Sequence, residues 1–259
     1  MIPKEIIYGT DLGKNRVMLY SYFAAKRSLD DTVGFSCDSV VKWCRYRPNY
    51  DDKNKKINYQ IKELICKLSE TEYNYFDMID EKSIKKNNYT EVRLNLDKFD
   101  LPPQFALVYL DEIYKIQNIK DITSEIKRKS GRKNNKVSPP ILLLILSYLK
   151  INMLRREKNY IGKFSDKPEF CFRMYKTIET DLGISSRYIS QGIEILEELG
   201  LIVSYTMPRY KDDDGNWRTE VTLFVDRYRR ADKGNSLKGD YDYKQELKWG
   251  MEYVNEKKW

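Results

Sequence analysis

The chain has 259 residues, enough for two domains of ordinary size, with 41% hydrophobic residues and a net charge of +8. It contains no histidine, which removes His general-base catalysis, Ser-His triads, His-containing zinc sites and the His-hydrophobe-His metal site of rolling-circle nickases. Cys37, Cys44, Cys66 and Cys171 show no CxxC spacing and no secretory leader is visible, so reduced core cysteines and a cytoplasmic setting are expected.

Residues 1–13 read as a short arm with one brief apolar run. A first core helix is predicted over Lys14–Ser28, from Val17, Tyr20 and Ala24 at helical spacing. Thr32–Phe35 is a short extended stretch, and Ser36 is a cap for a second helix holding Val40, Val41 and Trp43. The turn cluster Arg47–Asp52 precedes a third helix, from about Lys53 to Ser69, with the stripe Ile57, Ile61, Leu64, Leu68. Two alternating runs, Tyr73–Ile79 and Tyr89–Phe99, flank a basic loop with Lys82, Lys85 and Lys86, the pattern of a hairpin.

Pro102-Pro103 closes this first module, and a helix is predicted over Gln104–Ile119. Residues 101–138 carry 8 basic and 4 acidic side chains, so half of the +8 surplus lies there. Within that stretch Lys127–Lys136 has six basic residues in ten and no apolar side chain, so it can bury nothing and is expected to be a flexible linker. A local cationic strip is the footprint of a polyanion partner; a solvated lysine-rich linker is the alternative.

Ser138-Pro139 opens a second module. Its first helix is predicted over Ile141–Arg156. The nearly pure apolar run Ile141–Leu149 is half a bilayer span, so it marks a buried helix. A short strand near Phe170–Phe172 and a helix over Tyr175–Leu182 follow. Ser185 is then the cap of a helix with the stripe Ile189, Ile193, Leu196, and Gly200 ends it. The alternating runs Leu201–Met207 and Arg218–Tyr228 enclose the polar turn Lys211–Asn216, again a hairpin. Residues 233–259 end in a short helix bearing Trp249, Tyr253 and Trp259, suited to docking on a partner or on the second module.

The two halves repeat. Thr90–Phe99 and Thr219–Tyr228 agree at five of ten positions, and Ile57, Ile61, Leu64 match Ile189, Ile193, Leu196. The offset is 129 in the strand and 132 in the helix, which implies a three-residue gap. Shared order and shared letters favour duplication of one module, although strand alternation accounts for part of the match. The expected fold is mainly α with small β-hairpins (α+β), arranged as two winged helix-turn-helix domains in tandem. Residues 1–100 are the first domain, 101–138 a helix plus basic linker, 139–232 the second domain, and 233–259 an aromatic tail.

In a winged helix the third helix enters the major groove, and its outward side must carry donors that reach base edges. In the second module that side presents Ser186, Arg187, Ser190, Gln191 and Glu194, with Tyr188 placed to pack on sugar or a thymine methyl and Arg209, Lys211, Trp217 and Arg218 on the wing. Arg can grip guanine bidentately and Gln adenine. In the first module the candidates are Lys53, Lys55, Lys56, Asn58, Tyr59, Gln60 and Lys62, with Lys82, Lys85 and Lys86 on the wing. That helix start is dense in lysine and favours phosphate contacts over base reading. Lys127, Arg128, Lys129, Arg132 and Lys133 would track the DNA backbone between the two modules or enter a minor groove. The competing reading is that these are ordinary solvated faces. Gly9–Asn15 is one residue short of a phosphate loop and has Asn15 where a magnesium-binding hydroxyl is needed. No metal, cofactor or enzymatic activity is expected.

The order of elements resembles that of plasmid and phage replication initiators. The opening Ile2-Pro3-Lys4, leading to Val17–Tyr22, is similar to the start of initiator and replisome-organiser proteins of Gram-positive elements. Ile189–Ile202 is similar to the recognition helix and first wing strand of many winged-helix proteins. The resemblance implies sequence-specific binding of double-stranded DNA, with one module reading origin repeats and the other adding DNA contacts or dimerisation. A second copy of the chain and replication proteins are then further candidate partners, and no membrane is involved. A transcriptional regulator with the same readers, and a winged-helix scaffold that contacts proteins, remain the alternatives.

Overall fold

The computed structural model describes residues 1–49, 56–100, 104–119, 137–154, 169–207, 221–227 and 243–256. The chain divides into two compact units, Met1–Ile151 and Asn152–Trp259. The first combines helices with two small antiparallel sheets and the second with one, an α+β arrangement in each.

In the first unit the order is β1 (Ile2–Pro3), α1 (Lys4–Tyr8), α2 (Arg16–Lys26), β2 (Thr32–Phe35), α3 (Cys37–Trp43), α4 (Ile57–Ser69), β3 (Thr90–Arg93), α5 (Leu96–Phe99), β4 (Phe105–Ala106), α6 (Leu110–Gln117) and α7 (Pro139–Ile151). β2 pairs antiparallel with β3, from Thr32 opposite Arg93 to Phe35 opposite Thr90. The predicted strand Tyr73–Ile79 is reduced to one bridge, Phe76 to Leu94. The predicted run Tyr89–Phe99 breaks after Leu94, because Asn95 caps the short helix α5 through its side chain.

Residues 1–13 are not a free arm. Ile2, Ile6, Ile7 and Leu12 are buried, and β1 pairs with β4. That pairing also replaces part of the helix predicted over Gln104–Ile119, which begins only at Leu110. Two carboxylates strap the segment down. Asp11 accepts from Lys67 and the Tyr73 hydroxyl, and Glu5 from Lys98 and the Tyr75 hydroxyl. The bonds from Lys67 and Tyr73 hold the Asp11 carboxyl below the usual carboxylate range.

The core of this unit is built around two helices that are buried on every side over most of their length. α2 is buried continuously from Arg16 to Phe23, and α7 from Pro140 to Lys150. They pack on each other, and α7 also touches α1, α6 and β4. The expectation had placed this helix at the start of the second domain. An all-round apolar helix has no solvent face and must be enclosed, and the first unit encloses it.

In the second unit β5 (Cys171–Arg173), α8 (Tyr175–Leu182), α9 (Ser186–Glu198), β6 (Ile202–Thr206), β7 (Thr222–Asp226) and α10 (Tyr243–Glu256) follow in order. The sheet order is β5-β7-β6, so the last strand lies in the middle. Leu223 and Val225 join a cluster with Phe170, Met207 and Val254, against which Leu247, Met251 and Tyr253 of α10 pack. Alternation sends Thr222 and Phe224 to the other face, where they are also buried. β7 is therefore covered on both faces, and the predicted aromatic tail is a layer of this unit. Gly250 allows the close approach of α10, since a Cβ there would stand 3.1 Å from the Phe170 ring.

Strand register revises the repeat. Phe35 and Arg173 each precede the N-cap residue of the next helix, and their partners are Thr90 and Thr222. The structural offset between the strands is thus 132, the same as that of the helix stripes. The letter match of Thr90 with Thr219 is one of strand alternation, and no three-residue gap is needed.

Candidate nucleic-acid interface

The loop after α4 is ordered by α3. Ser36 caps α3 in a reciprocal box, its hydroxyl accepting from the Ser39 amide and its own amide donating to the Ser39 hydroxyl. Two further first-turn amides remain, and the loop satisfies them. Cys37 N donates to Lys85 O at 3.0 Å and Asp38 N to Lys86 O at 3.2 Å. Ile84 is buried beneath, while Lys82, Lys85 and Lys86 are exposed. The Glu81–Ser83 turn packs on α4. It lies along the Cys66 edge, where burial and then Glu81 and Asp80 push the Cys66 thiol up to about 11. Tyr59 and Lys62 stand at i−7 and i−4 from Cys66 on this same edge, both half-buried.

Two first-module candidates do not belong to that edge. Asn58 is 3% exposed. Its Oδ1 accepts from Asn49 N at 2.7 Å and its carbonyl accepts from the Cys37 thiol, so it fastens the α3–α4 turn and cannot reach a base. Gln60 is exposed, but it points with Glu63 and Lys67 into a cleft against Asp11–Asn15 on the other side of α4. Lys56 is the half-buried N-cap residue of α4; Lys53 and Lys55 lie outside the described residues.

In the second unit Gly183 adopts φ +67°, closing α8 and turning the chain into α9, and Gly200 at φ +68° ends α9. Ser185 stands at the N-cap of α9, but its hydroxyl makes no capping bond, contrary to expectation. Ser186 and Arg187 are exposed on the first turn; Tyr188 and Ser190 are half-buried. The Oε1 of Gln191 is buried with no hydrogen-bond partner among the described residues. A bidentate grip on adenine needs both amide atoms at the surface, so Gln191 does not offer one in this conformer. At the other end of α9 the Glu197 carboxylate accepts from Ser204 N and Oγ at 2.7 and 2.8 Å, which fixes α9 to β6. Arg209, Lys211, Trp217 and Arg218 lie outside the described residues, as do Lys127, Arg128, Lys129, Arg132 and Lys133.

The anchors of stretch 120–136 are described, and both belong to the first unit. Gln117 Nε2 donates to Trp43 O at 2.8 Å, and the Tyr46 hydroxyl donates to Asn15 Oδ1 at 3.0 Å and lies 3.3 Å from the Ser138 hydroxyl. Ile119 and Val137 are buried. The basic stretch is therefore bracketed by the first unit on both sides, which removes its expected role as the connector between two modules.

The chain matches no protein-family model, no curated protein and no solved structure. The functional reading accordingly rests on the site. Among the described residues no group of Cys, Asp and Glu could hold a metal ion, and no helix is long and apolar enough to cross a membrane. Sequence reasoning passed over Arg45 and Arg47, which are exposed on the α3–α4 turn. The signal available was three cations, Lys42, Arg45 and Arg47, in six residues before Pro48.

Proposed function

We propose that the protein is a non-enzymatic binder of double-stranded DNA built from two winged helix-turn-helix units. The observation that carries the reading is a loop with exposed Lys82, Lys85 and Lys86 that is hydrogen-bonded to the start of α3 and packs on α4 through Glu81–Ser83. A helix edge and a cationic loop held side by side suit a groove reader that also grips the backbone. β7 lies between β5 and β6, and in the first unit β3 pairs with β2 while the next residue, Leu94, bridges to Phe76, a likeness that supports the same unit type in both halves. Arg187, exposed on the first turn of α9, is the best candidate for a base contact. The role that fits a two-unit reader best is replication initiation for a plasmid- or phage-like element; a transcriptional regulator would use the same contacts.

Titration of a random-sequence duplex at several salt concentrations tests the reading. Wild-type log K should fall steeply with log salt. The triple variant K82A/K85A/K86A should flatten the slope by about 0.9 for each phosphate that is no longer neutralised, roughly 2.7 in all. A wild-type affinity independent of salt would sink the proposal.

One observation favours a second reading for the second unit. Residues 175–207 carry two basic side chains, Lys176 and Arg187, against five acidic ones, Glu179, Asp181, Glu194, Glu197 and Glu198. Such a face suits a protein contact better than a phosphate backbone. Arg187→Ala decides between the two. A base-reading Arg187 predicts a loss of about 1–3 kcal/mol and relaxed sequence preference among selected duplexes; a protein-contacting unit predicts unchanged DNA binding.

A further inference from the structure

We infer that Arg45 and Arg47 form a second phosphate-contacting site, on the turn between α3 and α4, an inference that rests on the duplex-binding reading above. Arg45 adopts φ +61°. Its amide donates to Lys42 O at 2.9 Å and the Tyr46 amide donates to Val41 O at 3.1 Å, the pair of bonds of a helix-terminating motif whose left-handed position normally holds glycine. Glycine would adopt this backbone without strain, whereas an arginine is disfavoured there. The long side chain is thus kept at a conformational cost, which directs attention to what it does.

What holds the turn also aims the arginines. Tyr46, between them, turns inward to Asn15 and Ser138, and its hydroxyl is raised above the ordinary phenol range by burial. Arg45 and Arg47 on either side of it are exposed. Neither side chain makes a hydrogen bond or ion pair among the described residues, in contrast to Arg27, which is held between Asp31 and Asp100. The described part of the turn, up to Asn49, is fastened at several points. Asn58 fastens Asn49, Gln117 fastens Trp43, and Pro48 restricts the chain between. Two forked, exposed guanidinium groups on this turn suit bidentate contacts to phosphate oxygens better than lysines would.

The test uses the full chain and a random-sequence duplex, with binding followed by fluorescence anisotropy across a salt series. The double variant R45G/R47S is expected to flatten the slope of log K against log salt by about 1.8, at about 0.9 per neutralised phosphate. Its Tm should be no lower than that of the wild type, because glycine suits the left-handed position. R45K/R47K keeps both charges and should retain the wild-type slope while binding more weakly. If the wild type binds the duplex and R45G/R47S binds with the same slope and affinity, the turn does not touch the duplex and this inference alone falls. A wild type that does not bind duplex overturns both readings, and a variant whose Tm drops while its slope is unchanged overturns the inference as well.

Discussion

An Arg16→Ala chain is expected to lose about 3–5 kcal/mol of stability in urea unfolding, with the largest gain in hydrogen exchange over residues 4–8. Arg16 is 1% exposed. Its Nε donates to Ile6 O at 2.8 Å, its Nη2 to Ile7 O at 2.7 Å and its Nη1 to Gly13 O at 2.7 Å. The carbonyls of Ile6 and Ile7 lie near the end of the five-residue helix α1, where no later amide continues the ladder. Burial lowers the guanidinium pKa to about 10, still well above neutrality, so the group remains a cation and a full set of donors. Alanine would strand those carbonyls and leave a cavity. Arg16→Lys separates the two effects. It keeps the charge and most of the volume but cannot reach three carbonyls from one ammonium, so an intermediate loss is expected. A lysine variant as stable as the wild type would mean that charge, and not the fork, holds the N-terminal segment.

The second large effect concerns α6 and α7. Lys150 Nζ lies 2.7 Å from Glu112 Oε1, at side-chain exposures of 4% and 0%. The other carboxylate oxygen accepts from Tyr109 N at 2.8 Å, closing the first turn of α6. Lys150→Met is expected to cost about 3–5 kcal/mol, because the Glu112 carboxylate would remain buried without its cation. The double variant Glu112→Gln with Lys150→Met should recover most of that loss, since the glutamine can still accept from Tyr109 N and carries no charge. Urea unfolding of the wild type, both single variants and the double variant closes the cycle. A double variant as unstable as Lys150→Met would show that packing of the lysine stem, and not the charge pair, ties α7 to α6.

Helix faces were legible from letters alone because side chains repeat every 3.6 residues. Ile189, Ile193 and Leu196 are buried where their spacing put them. Gly200 sits at positive φ where a helix was expected to stop, and Ser36 caps α3. Less legible was which outward residue does what. Asn58 and Tyr59 are neighbours in sequence, yet one is buried as a turn clasp and the other stands on the cationic edge. That difference depends on Asn49 and Cys37, residues distant in sequence whose approach no periodicity encodes. The same holds for Lys85 and Lys86, whose backbone carbonyls were invisible to a reading of side chains.

By itself the sequence determined the absence of histidine chemistry, the order of most helices and strands, the glycines at Gly183 and Gly200, and the inward stripes of α4 and α9. These follow from composition and from local backbone geometry, which a few adjacent residues specify. Tertiary structure alone decided that α7 belongs to the first unit, that residues 1–13 are strapped down, that the final helix covers β7, and that the basic stretch is bracketed by the first unit. An apolar face says that it must be buried, but the hydrophobic effect has no direction, so it does not say against what. Only the closing of particular hydrogen bonds, such as Arg16 to Ile6 and Ile7, selects the partner.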